Sequence, residues 1–105
     1  MIIKHILIEG KLQNNLTAEE ITESLLELPK IMGMKTLGEL QIEEGSEKLP
    51  GFSGVQLIET SHMNIHSFDN EKIVLIDILS CEDFSEYDII KYLERKFNFE
   101  EYKIL

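Results

Sequence analysis

Short apolar segments of strand length constrain this chain's fold more than any other feature. MIIKHILIE (1–9) is rich in β-branched residues, KTLGELQIE (35–43) alternates well enough for a strand, and FSGVQLIE (52–59) and KIVLIDIL (72–79) are two more segments of that length. Such segments predict strands and hence a sheet. Only two stretches switch to helical spacing. In the first, Thr17 with Glu20 three residues on is a capping box, and Ile21, Leu25 and Leu28 follow on one face. Pro29 is expected to end or kink that helix, with Gly33 as a later stop. In the second, Ser85 with Asp88 starts a helix whose apolar stripe is Ile89, Tyr92, Leu93 and Phe97. EEYKIL closes the chain as a short strand. The order strand, helix, three or four strands, helix, strand predicts a two-layer α+β sandwich, a mainly antiparallel sheet with two helices on one face. A chain of 105 residues has room for one such domain, spanning 1–105. The other sheet face then lacks a helix layer, and a second copy of the chain is expected to cover it as a homodimer.

Charge narrows the partners. The net charge of −10 is spread along the chain, and both phosphate backbones and anionic membrane surfaces require the opposite sign. No nucleic acid or membrane partner is expected, whereas a small cationic ligand suits the balance. The longest apolar run, IVLIDILSC, is too short to span a bilayer, and no basic and apolar leader is expected. Cys81 is the single cysteine, which sets a reducing, cytoplasmic location as the default.

One segment fits packing less well. ETSHMNIHSF (59–68) carries a serine, two histidines and an asparagine between apolar runs. His62 and His66 are four apart, a separation of about 13 Å in a strand, too far for two imidazoles to share one metal ion. No metal is expected. Residues 62, 64 and 66 alternate with Met63 and Ile65, so a solvent-facing strand surface accounts for them without any function. A nucleophile reading needs Ser61 to meet a base. Ser61 and His66 differ by an odd number, so they reach a common point only if a bulge or bend falls between them.

GFSGVQLIETSHMNIHSF, followed after a short gap by IDILSC, resembles the core of the prokaryotic S-adenosylmethionine decarboxylase proenzymes. The spacing from Ser61 to His66 to Cys81 matches that family without a gap, and KHILIE near the start matches as well. The resemblance implies a self-processing, pyruvoyl-dependent decarboxylase of polyamine biosynthesis. Ser61 would be the processing serine, converted to a pyruvoyl group at the cleaved Thr60–Ser61 bond. His66 would remove the Ser61 α-proton, and Ser53 would support the processing intermediate. The pyruvoyl ketone would form a Schiff base with the substrate amine and withdraw electrons as CO₂ leaves. Cys81 would protonate the resulting carbanion.

The departures sit in the substrate-reading positions. Thr60 replaces the family's glutamate before the serine. Glu47 stands where an aromatic residue would stack on adenine, and Asn70 stands where a carboxylate would grip the ribose. Substrate binding by Glu47 and Asn70 is therefore expected to differ from the family's. Two other readings keep the same residues: a pyruvoyl decarboxylase of arginine or ornithine, and a homologue that neither processes nor catalyses.

Overall fold

The computed structural model describes residues 1–105. Six strands and two helices follow in the order β1 (Lys4–Leu12), α1 (Ala18–Ile31), β2 (Thr36–Glu44), β3 (Phe52–Ile58), β4 (Ser61–Phe68), β5 (Ile73–Ser80), α2 (Glu86–Phe97), β6 (Phe99–Ile104). The strands form one sheet in the order β2-β3-β4-β5-β1-β6. Every neighbouring pair is antiparallel. Both helices lie on the same face, which gives the two-layer α+β sandwich that the strand and helix pattern predicts.

Alternation explains which face is which. Met63 and Ile65 of β4, Val74, Ile76 and Ile78 of β5, and Ile6 and Ile8 of β1 turn inward and are buried. They meet Ile21, Leu25 and Leu28 of α1 and Ile89 and Leu93 of α2 in one core. Thr17 caps α1 with its hydroxyl on the Glu20 N–H while the Glu20 carboxylate accepts from the Thr17 N–H. Pro29 neither ends nor breaks this helix. It lies buried inside α1, and the chain turns only after Ile31, with Gly33 at φ +71. Ser85 caps α2 through the Asp88 N–H.

The outward residues of the central strands have no second layer. Leu7, Val55, Leu75 and Leu79 are half-buried there, and Leu57 is 54% exposed. His5, Asp77 and His62 sit among them. β1 begins three residues later than the first apolar segment and runs on to Leu12, with its last residues paired to β6.

No helix is long and apolar enough to cross a membrane.

Candidate functional site

The notable polar residues gather in two places on the sheet. The first lies where β3 turns into β4 and β5 ends. Ser61 is the cross-strand neighbour of Ser80, so the residue after Ser80 is carried to the same spot. Ser61 Oγ and Cys81 Sγ are 3.9 Å apart. The Cys81 backbone N–H donates to the Thr60 carbonyl oxygen at 3.1 Å.

Beneath this contact runs a chain of neutral hydrogen bonds. The Glu82 N–H donates to Ser80 Oγ at 3.0 Å, Ser80 Oγ donates to Thr60 Oγ1 at 3.0 Å, and Thr60 Oγ1 donates to the Met34 sulfur at 3.2 Å. Ser80 is fully buried, so its hydroxyl has to be satisfied by protein groups. The loop that follows is clamped from β1. Lys4 Nζ donates to Asp83 Oδ1 at 3.0 Å and to the Phe84 carbonyl at 2.6 Å, and it lies over the Phe84 ring. The hydrogen bond from Lys4, followed by the one from the Phe84 N–H, holds the Asp83 carboxyl below its usual range.

The second place lies toward the other end of the open face. His66 on β4 is directly opposite Ser53 on β3, and His66 Nδ1 and Ser53 Oγ share a hydrogen bond of 2.9 Å. A small hollow beside them is lined by Gln41, Glu43, Ser53, Gly54, Val55 and His66.

Ser61 and His66 do not meet within one chain. The β3–β4 register is continuous from Ser61↔Ile58 to His66↔Ser53, with no bulge between them. Five residues of unbroken strand separate their backbones by about 16 Å, and the odd spacing turns them to opposite faces. Glu47, in the β2–β3 loop, and Asn70, in the β4–β5 turn, are both exposed and lie at the His66 end of the sheet. The structure therefore groups Thr60, Ser61 and Cys81 at one end, and Ser53 and His66 toward the other, with Glu47 and Asn70 beyond them.

The two histidines of the polar stretch have different partners. His62 Nε2 lies 3.7 Å from Asp77 Oδ2, while His5 Nε2 pairs with the other oxygen of Asp77. No group of three or more His, Cys, Asp or Glu side chains is placed to hold a metal ion.

Several residues of this arrangement escaped the sequence reading. Ser80 occupies an inward slot after Val74, Ile76 and Ile78, and a hydroxyl in that register was the available signal. Asp77, a lone acid within IVLIDIL, was another. Nothing in the sequence singled out Met34 or Glu43.

A protein of known structure shares this arrangement of elements. The crystal structure of the adenosylmethionine decarboxylase from Aquifex aeolicus VF5 matches over 99% of this chain and 87% of its own, with a TM-score of 0.82 and 21% identity. That likeness establishes the fold. No curated protein matches the sequence. The family model for S-adenosylmethionine decarboxylase matches residues 4–105, and by that match the chain belongs to the S-adenosylmethionine decarboxylase family.

Proposed function

We propose that this protein is a pyruvoyl-dependent S-adenosylmethionine decarboxylase that makes its own prosthetic group from Ser61. The observation that carries the reading is the Thr60–Ser61 peptide. Its carbonyl oxygen already accepts the Cys81 N–H at 3.1 Å, and the Ser61 hydroxyl is held at a strand end beside the Cys81 thiol. Attack of Ser61 Oγ on the Thr60 carbonyl carbon develops negative charge on that oxygen, where a preset backbone donor is most useful. The C–N bond then breaks, the hydroxyl proton ends on the freed amine, and an ester links the two halves. Removal of the Ser61 α-proton expels the Thr60 carboxylate, and water replaces the nitrogen, which leaves as ammonia. The chain ends with a ketone at position 61, and that ketone supplies the electron sink for decarboxylation.

The Thr60 hydroxyl and carbonyl are each fixed by one bond, from Ser80 and from Cys81, so the peptide is held in one orientation before reaction. Cys81 lies beside the Ser61 side chain, with Sγ 3.9 Å from Ser61 Oγ, and can deliver a proton there. His66 is the candidate base for the α-proton, and its bond to Ser53 fixes the imidazole plane.

One chain cannot complete this set, because about 16 Å of strand lies between Ser61 and His66. A second copy packed on the open face would complete it at the strand ends, with Ser53 and His66 of one protomer approaching the end of the partner's β4, where Ser61, though turned from that face, contacts Cys81. The half-buried leucines of that face supply the apolar contact. The functional unit in this reading is a homodimer with composite sites.

Intact-mass spectrometry tests both parts. The wild-type chain is expected to split between Thr60 and Ser61, with Ser61→Ala remaining whole. His66→Ala alone is expected to process poorly, but co-expression with Ser61→Ala restores cleavage of the chain that keeps Ser61. A permanently full-length wild-type mass rejects the enzyme reading. A lack of complementation rejects the composite site.

A further inference from the structure

We propose that Glu43 is the side chain that recognises the positive centre of the substrate. Glu43 on β2 is directly opposite Ser53 on β3, which is directly opposite His66 on β4. Carboxylate, hydroxyl and imidazole thus form one row across three adjacent strands of the open face. All three line the same hollow, whose volume is about 170 Å³. That is space for a charged amino-acid arm.

The carboxylate has no partner of its own. The chain's five ion pairs join Lys4 to Asp83, His5 and His62 to Asp77, Lys96 to Glu23 and Lys103 to Glu9, and none uses Glu43. Its side chain makes no hydrogen bond within the fold, and in a single chain water solvates it. Under a second copy that solvation is curtailed, and an uncompensated carboxylate is costly unless a cation meets it. Lys11, an unpaired lysine on β1, is four strands away from β2 in the sheet and about 19 Å distant.

S-adenosylmethionine carries two positive centres. Its ammonium nitrogen is the one that reacts with the ketone, so the sulfonium is the charge that persists through the reaction. A carboxylate beside it fixes the methionine arm in the hollow by charge and not by stacking. Glu43 differs from Glu47 and Asn70 in lining the hollow beside Ser53 and His66, whereas those two lie in the loops beyond it.

This assignment rests on the decarboxylase reading, and the experiment separates the two. Isothermal titration calorimetry is run on the Ser61→Ala chain, which stays whole, using S-adenosylmethionine and S-adenosylhomocysteine as probes. The second ligand keeps the ammonium and lacks the sulfonium charge. Glu43→Gln is expected to weaken S-adenosylmethionine by about tenfold and S-adenosylhomocysteine by less than about twofold, the loss of one charge-assisted contact. Glu43→Asp, which keeps the charge, retains the preference for the sulfonium ligand. Equal weakening of both ligands, no weakening of either, or no measurable binding by the Glu43-bearing chain overturns the assignment. Cleavage of the Ser61-bearing chain, read by mass, decides the decarboxylase reading independently.

Discussion

Gly51 is where the structure allows a stability change to be worked out most directly. It has φ +140, a conformation that residues with a side chain rarely adopt, and a Cβ added there would lie 2.0 Å from the Ser67 carbonyl oxygen. A carbon and an oxygen without a bond between them need about 3.3 Å, so Gly51→Ala demands a shift of roughly 1.3 Å between the β2–β3 loop and β4. That shift breaks the bond from the Phe52 N–H to Ser67 Oγ, now 2.9 Å, whose acceptor is buried. Backbone strain of about 1–3 kcal/mol and a lost buried hydrogen bond of about 1–3 kcal/mol combine to about 4 kcal/mol. For a domain of this size that lowers the melting temperature by roughly 20 °C. Gly33→Ala is the internal control, because Gly33 also has a positive φ, +71, but nothing lies within 4 Å of its added Cβ. Strain alone predicts a loss of about 1 kcal/mol there. The assay is urea unfolding followed by circular dichroism, in the Ser61→Ala background so that every chain stays whole. Losses within about 1 kcal/mol of each other refute the argument, since they show that the contact with Ser67 is relieved without cost. Because Gly51 and Ser67 flank Ser53 and His66, Gly51→Ala in the Ser61-bearing chain is also expected to slow self-cleavage.

Other outcomes follow from the same structure. Lys4 lowers the Asp83 carboxyl below its ordinary value of 3.8, so the pair stabilises the folded chain above that value and is lost as pH falls through the lower folded one. Thermal melts should therefore show Asp83→Asn less stable than wild type at pH 7, with the gap closing in acid; a gap unchanged down to about pH 2.5 contradicts this. Ile65→Ala empties a fully buried position and is expected to cost about 3 kcal/mol in urea unfolding. Leu57→Ala, at a position 54% exposed on the open face, should cost under about 1 kcal/mol at low concentration yet weaken self-association in sedimentation velocity. A monomer at every concentration, with or without Leu57, argues against the covered face.

The sheet was legible because short apolar, β-branched-rich segments are local signals. The lone Asp77 in the run IVLIDIL marks the face opposite Val74, Ile76 and Ile78, and the capping residues Thr17 and Ser85 fix the helix starts through bonds spanning three residues. Pro29 was misjudged because its cost is assessed for an isolated helix, whereas here it is buried within α1, where packing offsets the missing N–H. At the candidate site, the family resemblance pointed to Ser61, His66 and Cys81, but position along the chain could not say which of them touch. Ser61 reaches Cys81 across the β4–β5 pairing, a contact between residues twenty apart in sequence. Glu43 joins Ser53 and His66 only through two successive strand pairings, and no local pattern marks such a row.

Thr60 shows how the neighbourhood of the Thr60–Ser61 peptide is matched to its residue. Its hydroxyl points into the layer between sheet and helices, where it accepts from buried Ser80 and donates to the sulfur of Met34, itself 8% exposed. A glutamate placed in that slot would set a carboxylate against a thioether, which offers it no donor, and ionisation there would be opposed by desolvation. The hydroxyl meets no such penalty, since each of its bonds is neutral and short in reach. Fixing Thr60 by its side chain also fixes its carbonyl, and that is the oxygen facing the Cys81 N–H. In this chain, then, a threonine before Ser61 belongs with Ser80 and Met34 as one set. A glutamate at position 60 without changed neighbours is expected to disturb the peptide geometry that the proposed self-cleavage needs.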